Sequence, residues 1–158
     1  MPEEIAFLDL EKGRGARSRA SEPRQRWYMD IETVIGACQS IASEIQKRGM
    51  AIDLLYPASR DAFIPVRLLA MYLCGPRVSS RIPEHAGTGS CIIVDDASYT
   101  GKTLQAIAQR FKERGLAFGT ACVVMGEDTE FEPDFHAIAC SSGSRIVFPW
   151  HRDFVNVA

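Results

Sequence analysis

One segment constrains this chain more than any other: Cys91-Ile92-Ile93-Val94-Asp95-Asp96-Ala97-Ser98-Tyr99-Thr100-Gly101-Lys102-Thr103-Leu104. A short apolar run reads as a strand. It ends in two adjacent carboxylates, and a small hydroxylated loop then opens a helix. Each part has a physical use. Two carboxylates at a strand end can accept hydrogen bonds from a vicinal diol or assist a metal. Thr100, Gly101 and Thr103 offer hydroxyls and backbone N–H groups at a helix N-terminus, where the helix dipole favours an anion. The Gly101-Lys102-Thr103 triplet matches the end of a Walker A loop, but that motif needs glycine five positions earlier, where Asp96 stands. A carboxylate there would repel the phosphates such a loop cradles.

The rest of the chain alternates in the same way. Asp30 is placed to cap a helix with Ile31, Val34, Ile35, Cys38, Ile41 and Ile45 on one face, ending near Gly49. Ile52 to Tyr56 reads as a strand, and Ser59-Arg60-Asp61-Ala62 as a turn. Pro65 suits the first position of a second helix that carries Val66, Leu69, Met71 and Leu73. A third helix buries Leu104, Ile107, Ala108 and Phe111 and stops at Gly115. Thr120 to Val124, Ala137 to Ala139 and Ile146 to Phe148 supply further strands. Strand–turn–helix repetition predicts an α/β domain with a mainly parallel sheet flanked by helices. Ligands of such sheets bind at the carboxyl ends of strands, which singles out the loops Ser59 to Ile64 and Asp95 to Thr103.

Charge and cysteine usage narrow the function classes. The 158 residues include 18 Lys+Arg against 20 Asp+Glu, a formal charge of −2, which is not the basic excess of a nucleic-acid binder. No apolar run reaches the roughly 18 residues of a membrane span. The opening Met1-Pro2-Glu3-Glu4 has acid where a secretory leader has base, so a cytoplasmic setting is expected. Cys38, Cys74, Cys91, Cys122 and Cys140 form neither a disulfide pattern nor a zinc knuckle. Residues 1–26 read as an N-terminal arm, basic from Lys12 to Arg26, either solvated or docking on phosphate, nucleic acid or a partner subunit. Residues 27–158 read as the folded domain. His85, His136 and His151 are scattered and suggest no metal triad.

The acid-pair segment resembles the phosphoribosyl pyrophosphate signature of the type I phosphoribosyltransferases, and the chain is similar to their xanthine/guanine (purine) subgroup from about Trp27 to Arg152. Trp27 to Glu44 looks like the first helix of that subgroup, and Asp53 to Gly75 like the strand, pyrophosphate loop and helix that follow. Pro133-Asp134-Phe135 and Ile146 to Trp150 are similar to segments near its purine pocket. The resemblance implies a type I phosphoribosyltransferase-like fold with a small C-terminal hood. It gives Asp95 and Asp96 the ribose hydroxyls. Ser98, Thr100, Gly101, Lys102 and Thr103 receive the 5′-phosphate, and Ser59, Arg60, Asp61 and Ala62 the pyrophosphate. Ile146, Phe148 and Trp150 form the base pocket. The implied activity is transfer of ribose 5-phosphate from phosphoribosyl pyrophosphate to a purine-type base, as in purine salvage. Mg²⁺ is carried by the substrate rather than by the protein alone, and a homodimer is common in the family.

Several positions depart from the pattern. The pyrophosphate loop commonly has two glycines after its arginine, where this chain has Asp61 and Ala62. Asp61 puts a carboxylate where a polyanion approaches, unless it points to solvent or caps the following helix. Tyr99 occupies the position of the usual catalytic aspartate and is a poor base at neutral pH. Met125 and Gly126 stand near where a lysine reads the purine, and Arg145 replaces the stacking aromatic. Trp150 reads as a stacking platform or as core packing. Gly75 to Ser90, with Arg77, Arg81 and His85, is short for a lid that closes over substrate. The alternative is therefore a non-catalytic member that binds or senses a nucleotide or ribose phosphate.

Overall fold

The computed structural model of the chain describes residues 25–157, so most of the expected arm lies outside the described residues. In chain order the elements are β1 (Gln25–Tyr28), α1 (Ile31–Lys47), β2 (Ile52–Pro57), α2 (Phe63–Tyr72), β3 (Arg77–Val78), β4 (Ser90–Ser98), α3 (Lys102–Glu113), β5 (Phe118–Gly126), β6 (Phe135–Cys140), β7 (Ser144–Val147) and a closing 3₁₀ turn (Arg152–Val157).

Local chemistry sets most of the boundaries. The Asp30 carboxylate accepts the Thr33 N–H at 2.8 Å and starts α1, as its spacing predicts. Gly49 and Gly115, both at φ +65°, turn the chain after α1 and α3. Helix α2 begins at Phe63, two residues before the expected start, so Pro65 falls in the first turn, where the missing N–H has no intrahelical partner to lose. Met71, expected to face inward, is 72% exposed.

Strands β3-β2-β4-β5-β6 form one sheet in that order, and every pairing is parallel. Leu55, Ile92, Val94, Ala121 and Val123 pack with α1 and α2 on one face. Leu54, Tyr56, Cys91 and Ile93 pack with Leu104, Ile107 and Phe111 of α3 on the other. β4 is the central strand and is covered on both sides, as parallel architecture requires. It runs on to Ser98, so Asp95 and Asp96 are strand residues and not the start of a loop.

The hood is a two-stranded parallel ribbon in which β1 pairs with β7, Gln25 opposite Ser144 and Tyr28 opposite Val147. It is built from both ends of the domain rather than from the C-terminal part alone. The boundary expected between residues 26 and 27 falls inside β1. The Gly75–Ser90 connection is no lid over the acid pair. Arg114 donates to the carbonyls of Ile82 and Pro83, and Asp53 accepts from Thr88 and Gly89. These contacts hold Pro83 to Gly89, with His85, at the amino ends of β2 and β4, about 16 Å of strand from Asp95.

Phe111 is fully buried, with its ring 5.3 Å from Tyr56 and 5.9 Å from Phe118. Phe111→Ala is expected to lower unfolding free energy by about 3–5 kcal/mol in urea titration. A loss below about 1 kcal/mol would contradict this packing of α3 on the sheet.

Candidate functional site

The site lies at the carboxyl edge of the sheet, where β2 and β4 run into α2 and α3. Alternation along β4 turns Asp95 toward the β2–α2 loop and Asp96 toward the hood. Asp95 Oδ1 accepts the Ser59 hydroxyl at 2.9 Å and the Asp96 N–H at 3.0 Å. Ser59 Oγ in turn accepts the Ala62 N–H at 3.3 Å, which ties the acid pair to the start of α2. Asp96 Oδ1 accepts the Ala97 N–H at 2.7 Å. Its Oδ2 faces the turn after β7, with the indole Nε1 of Trp150 donating at 3.4 Å and His151 Nε2 at 3.2 Å. The Phe148 N–H donates to His151 Nδ1 at 3.4 Å, so the ring proton belongs on Nε2, pointing at Asp96.

Both acids are buried, at 6% and 7% exposure, and among the described residues no Lys or Arg forms an ion pair with either. Burial, and then the charge of Asp96, push the Asp95 carboxyl up from 3.8 to about 6, against the lowering effect of the Ser59 hydroxyl. Asp61 is exposed, yet its Oδ2 comes within 3.7 Å of His151 Nε2. Asp61, Asp96 and His151 thus bring one ligand atom each within 4.8 Å of one another. His151, one of three scattered histidines that form no triad, is hydrogen-bonded, but its place beside the acid pair is not predicted by sequence. The turn signal was present, since Pro149 follows β7 and the His151 N–H returns to the Phe148 carbonyl at 2.9 Å. What sequence does not carry is the placement of that turn over β4.

The start of α3, expected to bind the 5′-phosphate, follows directly. Gly101 caps α3 at φ +79°, and a Cβ there would lie 2.6–2.8 Å from Phe131 atoms, so glycine is required on both counts. Thr100, Lys102 and Thr103 are exposed at the opening of α3, as expected of phosphate ligands. Ser98 is different: it is a buried strand residue level with Met125.

The expected pyrophosphate and base residues divide. Ser59 and Asp61 join the acid pair, and Arg60 is exposed beside them. Ala62 is buried with φ −74°, an ordinary helical conformation. Ile146 lines a cavity of about 330 Å³ with Asp96, Ala97, Tyr99, Ser144, Arg145 and His151. Phe148 is fully buried and stacks behind Trp150, with centroids 4.7 Å apart, so it supports that ring instead of facing the cavity. Pro133-Asp134-Phe135 is not at the site. Asp134 accepts the N–H and hydroxyl of Thr120 at 2.8 and 2.9 Å, and the buried Phe135 ring lies under the Arg48 guanidinium. Tyr99 Oη accepts the Ile146 N–H at 2.7 Å, and burial raises its hydroxyl to about 12, which removes it as a general base.

Comparison with known proteins agrees with this geometry. The family model described as phosphoribosyl transferase domain matches residues 37–154. Among solved structures, a purine phosphoribosyltransferase from Pyrococcus horikoshii Ot3 superposes with a TM-score of 0.69 at 24% identity, covering 80% of this chain and 95% of that one. The Helicobacter pylori xanthine-guanine-hypoxanthine phosphoribosyltransferase gives 0.73 at 14% identity, over 84% and 97%. A Neisseria gonorrhoeae hypothetical protein with bound ppGpp gives 0.70 at 15% identity, over 84% and 93%. No curated protein matches the chain.

A raised Asp95 has a defined stability signature. In the unfolded chain it ionises near its ordinary 3.8, so between about pH 4 and 6 the folded form holds the extra proton and stability falls as pH rises. Asp95→Asn is therefore expected to be more stable than the parent at pH 7, with the gain gone below pH 4. Urea titrations at the two pH values measure it; equal stability at pH 7 would contradict the electrostatic reading.

Proposed function

The chain belongs to the phosphoribosyl transferase domain family, and from that premise we propose that it transfers ribose 5-phosphate from phosphoribosyl pyrophosphate to a purine-type base, releasing pyrophosphate. The observation that carries this reading is the contiguity of the β4 acid pair with the glycine-capped start of α3 on one edge of the sheet. The 5′-phosphate is bound by the α3 opening, through Thr100, Gly101, Lys102 and Thr103. Asp95 and Asp96 accept the ribose hydroxyls, and Arg60 offers a guanidinium to the pyrophosphate. In the reaction the bond from the anomeric carbon to pyrophosphate oxygen breaks, its electron pair leaves with pyrophosphate, and a base nitrogen forms the new bond.

The donor set of Asp61 and Asp96 fits Mg²⁺, which takes oxygen ligands and keeps water or substrate oxygens beside one or two carboxylates. His151, with its proton on Nε2, is a hydrogen-bond donor to Asp96 and not a ligand. Mg²⁺ bound there would supply positive charge to the leaving pyrophosphate, and it would relieve the conflict between Asp61 and a polyanion. This reading puts the protein in the cytoplasm, in purine salvage, acting on small molecules as a homodimer. Neither membrane nor nucleic acid is a partner.

A second reading, a non-catalytic member that binds or senses a nucleotide, is favoured by one observation. Asp96 Oδ2 already faces two N–H donors, those of Trp150 and His151. Calorimetry separates the two. For a transferase, phosphoribosyl pyrophosphate with Mg²⁺ binds at least about tenfold tighter than ribose 5-phosphate, the effect of one or more added charge-assisted hydrogen bonds. Equal binding of the two, with GMP and IMP binding alone, would leave only the sensing reading. Asp96→Asn is expected to weaken every ribosyl ligand roughly tenfold; unchanged affinity would remove its sugar role.

A further inference from the structure

We propose that the turn after β7 is a latch across the site, and that a ribosyl ligand binds only by displacing it. The indole N–H of Trp150 sits on the carboxylate oxygen that a sugar hydroxyl needs, so the structure shows the closed state. The inference rests on the sugar role given to Asp96 above, which both functional readings share, and adds how access to that acid is controlled.

Both oxygens of Asp96 are occupied. Oδ1 accepts the Ala97 N–H at 2.7 Å, Oδ2 accepts from Trp150 Nε1 at 3.4 Å, and the residue is 7% exposed. His151 Nε2 packs against the same Oδ2 at 3.2 Å and lies 3.7 Å from Asp61 Oδ2. The turn therefore reaches from β4 to the β2–α2 loop, across the sugar acid and the expected pyrophosphate loop together. A hydroxyl cannot arrive at Oδ2 while this turn stays in place.

The turn is also built to move. Its backbone bonds are internal: the His151 N–H returns to the Phe148 carbonyl at 2.9 Å, and the Phe154 N–H to the His151 carbonyl at 3.0 Å. Asp153 pairs with Arg26 of β1, inside the hood. Among the described residues, the hydrogen bonds and ion pairs from Trp150 and His151 to the sheet and its loops end on Asp61 and Asp96 alone. Fully buried Phe148, just past β7, anchors the piece, and the Trp150 ring only rests on it. The contact on Asp96 is weak enough to yield. A well-formed N–H···O bond closes to about 2.9–3.0 Å, so the indole bond is long. A hydroxyl on a carboxylate closes to about 2.5–2.7 Å and makes the stronger bond. One motion then uncovers Asp96 and releases Asp61.

Trp150→Phe tests this, because the aromatic ring on Phe148 is kept and the N–H is lost. Calorimetry is expected to show the variant binding ribose 5-phosphate about three- to tenfold tighter than the parent, the effect of removing one competing hydrogen bond from the closed state. Inorganic phosphate, which needs only the opening of α3, is expected to bind both proteins alike. A second measurement keeps Trp150 in place. With Trp27, the other tryptophan, changed to Phe, ribose 5-phosphate is expected to shift the Trp150 emission to longer wavelength as the ring enters water, and phosphate to leave it unchanged. Equal or weaker ribose 5-phosphate binding by Trp150→Phe, or an emission that ribose 5-phosphate does not move, would overturn the latch and leave the sugar role standing. A gain for phosphate as large as that for ribose 5-phosphate would overturn it too, since the effect would then not lie at Asp96. Ribose 5-phosphate binding to neither protein would overturn both the latch and the sugar role.

Discussion

Two carboxylates side by side at the end of a strand buried on both faces are the constraint that the rest of this structure answers. β4 can be central only because its first five residues are apolar or small, and that same centrality withholds water from Asp95 and Asp96. Carboxylates in such a place must find hydrogen bonds or take up protons. Asp95 does some of each, through Ser59 and a carboxyl pushed up to about 6. The bond from Ser59 also fixes the β2–α2 loop, so the electrostatic need of one acid positions the neighbouring half of the site.

Asp96 meets the same need from a different part of the chain. Its partners come from the turn after β7, and that turn is held in place by the Trp150 ring stacked on buried Phe148 and by the Phe148 N–H on His151 Nδ1. The hood is therefore coupled to the sheet through Asp96, although no strand pairing joins them. A ribose hydroxyl arriving at Asp96 would compete with Nε1 of Trp150 and Nε2 of His151 for the same oxygen. Occupancy of that oxygen by any ligand and the position of the C-terminal turn are thus linked.

How much of this was legible in sequence depends on how far apart the interacting residues lie. The Asp30 cap, the apolar faces of α1 and α3, the parallel sheet and the glycine at the start of α3 are all written within short windows, and each was read correctly. Boundaries set by pairing were not. β4 extends four residues past Val94 because β5 continues beside it, and α2 starts before Pro65 because the Ser59 turn feeds directly into it. The partners of His151, Asp134 and the Pro83–Gly89 segment are not legible in sequence for one reason: each is fixed by a contact with a residue 14 to 55 positions away. Spacing rules carry no information over such distances.

That division also separates what the site can change from what it must keep. The sugar-phosphate half is one continuous segment from β4 through the opening of α3, and its geometry survives wherever that strand is central and Gly101 caps the helix. The adjoining cavity is assembled from Tyr99, Arg145, Ile146 and His151, which meet only through packing of the hood. Arg145 is exposed and contributes nothing to the core, so a different residue there would alter the cavity's charge without cost to the fold. Tyr99 is half-buried and pinned to the Ile146 N–H, so its replacement would disturb the ribbon as well. The charge of that cavity can therefore change more easily than its hydrogen-bonded frame.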